Sequence, residues 1–193
     1  MRIATGLPEA MRADAARIYW QAFGSKLGRV LGPDARALRF LERAISADHA
    51  MIALSPQGAL LGLIGFRSSK GGFAEGTEDD LRAAYGRIGA MWRGAALRAI
   101  SRDMEDDRFL IDGICVAPEA RGQGVGTALI EAVAAWATAQ SFHELRLDVI
   151  DTNLRARALY ERLGFRITRT ESLGPLRYLF GFKTAVTMVR PLA

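Results

Sequence analysis

Residues 9–23 space Met11, Ala15, Ile18 and Ala22 three or four apart, which predicts a helix with one apolar face. A glycine-rich stretch over 24–32 interrupts that pattern. Pro33 and Asp34 then open a second helix through about Ile45, with Leu38, Leu41 and Ile45 as its apolar stripe. Residues 51–54 and 59–66 are short apolar runs separated by Ser55-Pro56-Gln57-Gly58, whose turn chemistry predicts a β-hairpin. A polar loop is expected over 67–76. Thr77, with Asp80 three residues on, has the form of a capping box with Asp in place of Glu. Leu81, Tyr85, Ile88 and Trp92 follow as an apolar stripe. Gly86, Gly89 and Gly94 each cost a helix about 1 kcal/mol relative to alanine, which leaves open whether the segment is one helix or two.

The second half has a clearer rhythm. Residues 109–116 read as a strand bounded by Pro118, and 126–140 as a strong helix with Leu129, Val133 and Trp136 on one face. Residues 145–149 are a strand rich in branched side chains, and 153–163 a helix closed by Gly164 at C′. Two more strands are expected at 165–169 and 185–189. Strand–helix–strand–helix–strand–strand implies a right-handed crossover and a parallel pair. The expected fold is α/β, a single domain over 1–193 built on a mixed, mostly antiparallel sheet flanked by helices, with a helical insertion near 77–102.

Composition narrows the function classes. The chain has 193 residues, half of them hydrophobic, enough for one domain with a sizeable core. No run of about 18 uncharged apolar residues occurs, so no membrane partner is expected. The first ten residues lack the apolar centre of a signal peptide, and the expected location is cytoplasmic. Cys115 is the single cysteine, which excludes an intramolecular disulfide. His49 and His143 lie far apart without metal-ligand spacing, so no metal is expected. The net charge of +5 suits an anionic partner, but the arginines are scattered singly among apolar and acidic positions, which argues against a nucleic-acid surface.

The chemistry concentrates at Arg121-Gly122-Gln123-Gly124-Val125-Gly126-Thr127, between the strand at 109–116 and the helix that follows. The first amides of a helix lack internal partners and point along its axis, where the dipole adds partial positive charge. The glycines let backbone approach an anion, and Arg121 offers a cationic fork to phosphate oxygens. An ordinary glycine-capped turn has the same look. A P-loop would end in Gly-Lys-Ser/Thr, and the dinucleotide fingerprint has G-x-G-x-x-G spacing; neither fits.

The spacing resembles the R/Q-x-x-G-x-G/A signature of GCN5-related N-acetyltransferases. Residues 111–130 are similar to that family's fourth strand, loop and third helix. Leu147-Asp148-Val149, followed by 153–165, resembles its second signature. The likeness is tight over 109–169, loose over 1–66 and absent over 70–107. It implies acetyl-CoA as co-substrate, an acetyl-CoA-binding core at 109–169, and an amine acceptor. It also implies that the pantetheine chain pairs like an added strand with backbone at Ile114 and Val116, next to Cys115. Alternation points the Cys115 side chain to the opposite face, as a small core residue.

Acetyl transfer needs a held and polarised thioester, a neutral amine, and a proton for the departing thiolate. Asn153 and Tyr160 are seven residues apart, so both side chains share one helix face about 10 Å apart, with small Ala156 between them. Asn153 suits a pantetheine amide as well as an N-cap; the Tyr160 hydroxyl suits the sulfur as general acid, although a half-buried aromatic anchor is the plainer role. Alternation places Asp112 on the strand face of Ile114 and Val116, where it is the candidate base. The family often carries a Glu two positions earlier, where this chain has Leu110. Glu75, Asp79 and Asp148 are more distant alternatives, and a base is dispensable if the amine is already neutral.

Residues 9–45 and 67–107 are expected to shape the acceptor pocket. Phe73, Tyr85, Met91 and Trp92 offer an apolar lid, and 176–182 a further aromatic tail; if they line the site, an amine with an apolar body fits best. A homodimer is compatible with the sequence. The alternative function is an acyl-CoA-binding sensor of the same fold without transfer.

Overall fold

Short apolar runs and amphipathic helices close on one another in the computed structural model, which describes residues 1–68, 71–100 and 109–192, the side chains of 99 and 100 excepted. The strands are β1 Arg2–Thr5, β2 Ala50–Leu54, β3 Leu60–Ser68, β4 Gly71–Gly72, β5 Phe109–Val116, β6 Glu144–Ile150, β7 Arg166–Ser172 and β8 Thr184–Pro191. They form one sheet in the order β1-β2-β3-β5-β6-β8-β7, with β4 paired to β3. Among these pairs only β5–β6 is parallel. The mixed, mostly antiparallel sheet expected from the sequence is present.

The helices are α1 Arg12–Leu31, α2 Asp34–Ala44, α3 Glu78–Ile100, α4 Val125–Ala139, α5 Leu154–Arg162 and α6 Arg177–Phe180. They cover both sheet faces, each with its own core. One face buries residues of α1, α2 and α3 against Ile52, Leu63 and Cys115. The other buries α4 against Ile64, Phe66, Phe109, Leu145 and Leu147, with Leu159 and Tyr160 of α5 packed at its margin. Phe66, Phe109 and Trp136 stack at ring-centroid distances of 5.1–5.6 Å. Each such side chain buried is worth roughly 1.5–3 kcal/mol.

Four local expectations change. α1 does not stop at the glycine-rich stretch but runs through Gly24 and Gly28 to Leu31. A Cβ at Gly24 would stand 3.1 Å from the Trp20 ring, so the glycine serves close packing rather than a turn. The 67–76 segment is not all loop: β3 extends to Ser68, β4 returns beside it, and Ala74 bridges Ile45. β1 and α6 had no periodic signal, being short. Finally, α3 breaks at Gly86 (φ 70°, ψ 175°), which separates two helical pieces. Leu81 and Tyr85 before the break are buried, whereas Ile88 and Trp92 after it are 80% and 41% exposed. The break turns the stripe out of register with the core, and Ala90 takes the buried position instead. Residues 101–102 of the expected insertion lie outside the described residues. Among the described residues no helix is long and apolar enough to cross a membrane.

The hairpin and the capping box form as expected. β2 and β3 pair antiparallel around Ser55–Gly58, where the Ser55 hydroxyl accepts from the amides of Gln57 and Ala59. The Asp80 amide donates to the Thr77 hydroxyl at 3.1 Å, and the Thr77 amide to the Asp80 carboxylate at 3.0 Å.

Candidate active site

β5 and β6 pair only from Phe109–Leu145 to Ile111–Leu147. Beyond Ile111, β5 stays bonded to β3 through Val116, while β6 stays bonded to β8. The two strands therefore splay, and among the described residues the edge of β5 over 112–116 has no strand partner on that side. A cleft of about 610 Å³ opens there. Its walls are β5 at Ile114, Cys115 and Val116, the turn into α4, and the α5 face that carries Asn153, Ala156 and Tyr160.

The turn is shaped for an anion. Gly122 and Gly124 have φ of +78° and +79°, which L side chains rarely adopt, and a Cβ at either would meet nothing within 4 Å. Gly124 is the N-cap of α4; no side chain caps that end and no acid occupies the first turn. The dipole and amides at 125–127 thus face the cleft unopposed. Arg121 Nε donates to the Val116 carbonyl at 3.3 Å, which ties the loop to β5. Arg121, Arg155 and Arg162 line the cleft together, and none has an ion-pair partner among the described residues. Three such guanidiniums beside a helix N-terminus give this end of the cleft a positive charge that suits a polyanion.

The cofactor residues read from the sequence line this cleft, with one exception. The side-chain amide of Gln123 donates to the Glu119 carbonyl at 2.9 Å and stabilises the turn. Residues missed include Arg155 and Arg162, which share the seven-residue spacing of Asn153 and Tyr160 and were legible on that ground. Gln21 and Ala22 of α1 also reach the cleft; no local signal marked them.

Asn153 caps α5, accepting the Ala156 amide at 3.3 Å. Tyr160 packs its ring on Phe165 with centroids 5.8 Å apart. Its hydroxyl makes no hydrogen bond among the described residues. Burial, reinforced by the neighbouring Cys115 sulfur, pushes its pKa up to about 12, so the phenol is neutral at ordinary pH. Burial likewise raises the Cys115 thiol far above its usual range, which keeps it an inert core group despite the nearby Lys26.

Asp112 does not face the cleft. The β3–β5 register runs Gly65–Gly113 and then Phe66–Ile111, so Asp112 is the extra residue of a β-bulge. The bulge reverses the alternation that placed Asp112 with Ile114 and Val116. Its carboxylate sits instead on the α1 side, 3.4 Å from Arg67 Nε and accepting the Phe73 amide at 3.1 Å. Burial raises its pKa, against the opposing pull of Arg67 and the Phe73 amide. The same bulge brings Gly113 against α1, where a Cβ would stand 2.8 Å from the Phe23 ring.

The other carboxylates are occupied elsewhere. Asp148 accepts the Thr187 hydroxyl at 2.6 Å, Asp79 pairs with Arg82, and Glu75 pairs with Arg67 at 3.5 Å. Glu75 and Met91 line a separate cavity of about 430 Å³ between α1, α2 and α3. The expected aromatic lid does not cover the cleft: Phe73 is in the core, the Tyr85 hydroxyl donates to the Leu31 carbonyl, and Trp92 faces outward. The 176–182 tail packs Leu176, Leu179, Phe180 and Phe182 on the α1-side core.

Comparison with known proteins places this arrangement. The model of the acetyltransferase (GNAT) family matches residues 13–165. Thialysine N-epsilon-acetyltransferase of Bos taurus is 46% identical over 54 residues, covering 28% of this chain and 32% of that protein. Streptothricin acetyltransferase of Streptomyces lavendulae is 33% identical over 99 residues, covering 51% and 52%. The chain thus spans about half or less of the length of the curated relatives it matches. An N-acetyltransferase structure from Staphylococcus aureus Mu50 superposes with a TM-score of 0.68 at 15% identity over 98% of this chain and 100% of that one. A streptothricin-type acetyltransferase of Bacillus anthracis str. Ames, solved in complex with acetyl coenzyme A, superposes with a TM-score of 0.51 at 19% identity over 75% and 62%.

Proposed function

Because this chain belongs to the acetyltransferase (GNAT) family, we propose that it is an N-acetyltransferase carrying an acetyl group from acetyl-CoA to a primary amine of a small molecule or peptide. The observation that carries the reading is the free edge of β5 beyond Ile111, facing an α5 surface that presents Asn153 and Tyr160. An extended amide-containing chain fits that edge as strand addition. The open φ-positive turn at Gly122 and Gly124 fits a pyrophosphate, and Arg121, Arg155 and Arg162 supply its counter-charge.

Acetyl-CoA supplies an activated acyl group with a thiolate leaving group. The chain's part is to hold and polarise it. Backbone amides at 114–116 donate to the carbonyl oxygen as it gains negative charge. The neutral amine nitrogen bonds to the carbonyl carbon, the carbon–sulfur bond breaks, and Tyr160 donates its proton to the sulfur. The amine's surplus proton leaves through water, and solvent restores the phenol. The raised pKa of Tyr160 keeps the donor protonated at every working pH. Among the described residues no group holds its hydroxyl, which leaves it available for the sulfur and favours catalysis over a sensor without transfer.

Asp112 enters as a positioning residue that pins the bulge through Arg67 and Phe73. Titration calorimetry with acetyl-CoA tests the cofactor: binding in the micromolar range is expected, and no binding at high micromolar concentration contradicts the assignment. An amine panel read by thiol release then separates an enzyme from a sensor.

A further inference from the structure

A second cavity, of about 390 Å³, adjoins the cleft and shares Ala22 and Asn153 with it. Its walls come from α1, the end of β6, and Phe180–Phe182 of the segment between β7 and β8. The cavity of about 430 Å³ on the other side of α1 shares no lining residue with the cleft. Of these two cavities, the 390 Å³ one is therefore the one that opens beside the cleft, at Ala22 of α1 and Asn153.

Lys26 is the one charged side chain among the described residues that line it. Its ammonium lies 5.1 Å from the centroid of the Phe23 ring. No carboxylate is within ion-pair distance of it among the described residues. Burial pulls its pKa below the ordinary lysine value, and the titratable group facing it is the Cys115 thiol, from β5. Lys26 is half-buried, and one phenylalanine face is a weak substitute for a counter-charge on its partly desolvated ammonium. Ser25 and Thr152 add hydroxyl donors to the same wall, and no acid is among the described residues that line it.

We infer that this cavity receives an anionic group of the acceptor, a carboxylate paired with Lys26, so that the acceptor is an amino-acid-like amine rather than a polycation. The inference rests on the acetyltransferase reading. A polycationic amine meets Lys26 as repulsion, so the lysine selects against it as well as for its opposite.

The test uses matched amines that differ at one group: L-lysine, its carboxamide and the decarboxylated diamine, with phosphoethanolamine beside ethanolamine to separate carboxylate from phosphate. Thiol release gives kcat/KM, and calorimetry on the CoA-loaded protein gives binding without turnover. The carboxylate compound is expected to exceed its amide by about tenfold or more in either readout. Lys26→Met is expected to reduce that ratio about tenfold, and Lys26→Arg to restore most of it. Equal handling of carboxylate and amide by the wild type, a preference that survives Lys26→Met, or a preference for the phosphate compound alone overturns the inference. Failure of every amine to turn over, with Lys26-dependent carboxylate binding intact, supports the cavity's assignment while defeating the transferase reading.

Discussion

Asp112 Oδ1 lies 3.4 Å from Arg67 Nε, on the α1 side of β5, and is not among the residues that line the cleft with Ile114 and Val116. Simple alternation would aim that carboxylate with Ile114 and Val116; the bulge aims it at Arg67 and the Phe73 amide instead. Asp112→Asn is therefore expected to keep turnover within about tenfold of wild type while lowering stability by about 1 kcal/mol, because it leaves the part-buried Arg67 guanidinium with the Glu75 carboxylate alone. Steady-state thiol release and thermal unfolding check the two halves. A drop in turnover by about 100-fold or more is the mark of a lost general base.

The polyanion site predicts a graded electrostatic loss. Arg155→Ala and Arg162→Ala are each expected to weaken acetyl-CoA binding by about 1–3 kcal/mol, the scale of a charge-assisted hydrogen bond. Neither is expected to change the affinity for pantetheine, which lacks the phosphates. Calorimetry on both ligands, repeated at two salt concentrations, reads this; equal losses for the two ligands contradict a phosphate contact.

The Gly-rich turn predicts a conformational rather than a steric effect. A Cβ at Gly124 has free space, so Gly124→Ala is costly through its φ of +79° alone, by about 1 kcal/mol. With the loop displaced, the loss of acetyl-CoA binding free energy is expected to exceed the loss of unfolding free energy. A dissociation constant unchanged in Gly124→Ala contradicts the loop's role.

Much of this site was legible because its determinants are local. The sequence Arg121–Gly126 specifies a turn by glycine positions, and Asn153 and Tyr160 share a face by helical spacing alone. What escaped depends on contacts between distant segments. The bulge at Asp112 lies where the register passes from Gly65–Gly113 to Phe66–Ile111, a pairing between strands far apart in sequence. Gln21 and Ala22 lie within the helix predicted over 9–23, but that they reach the cleft depends on how α1 packs across the sheet. Ile88 and Trp92 follow a helical stripe on paper, but Gly86 turns the second half of α3 away from the core.

The reciprocal cap that starts α3 makes a prediction about stability and pH. Burial works against the Asp80 charge, but hydrogen bonds from Thr77 and the Arg43 guanidinium outweigh it and lower the pKa. Arg43 Nε, 3.0 Å away, also links α2 to α3. A carboxylate depressed in the folded state stabilises it above the unfolded value, and that contribution is lost as pH falls through the folded value. Thr77→Ala is expected to cost about 1 kcal/mol at pH 7. The wild type's advantage over Asp80→Asn should be full above about pH 4 and shrink below it. Urea unfolding across that range measures both; an advantage that grows on acidification contradicts the cap.

Tyr160 carries the central claim. Its phenol, held near 12 by burial, predicts no alkaline loss of rate from this group below about pH 10, so any rise in rate with pH reports the acceptor amine losing its proton. The most direct measurement is the turnover number for thiol release by Tyr160→Phe at saturating acetyl-CoA, with the acetyl-CoA dissociation constant measured on the same preparation. The predicted result is turnover slowed by about 100-fold or more, with the dissociation constant within about threefold of wild type. Turnover close to wild type, or a loss matched by an equal loss of acetyl-CoA affinity, would contradict Tyr160 as the proton donor.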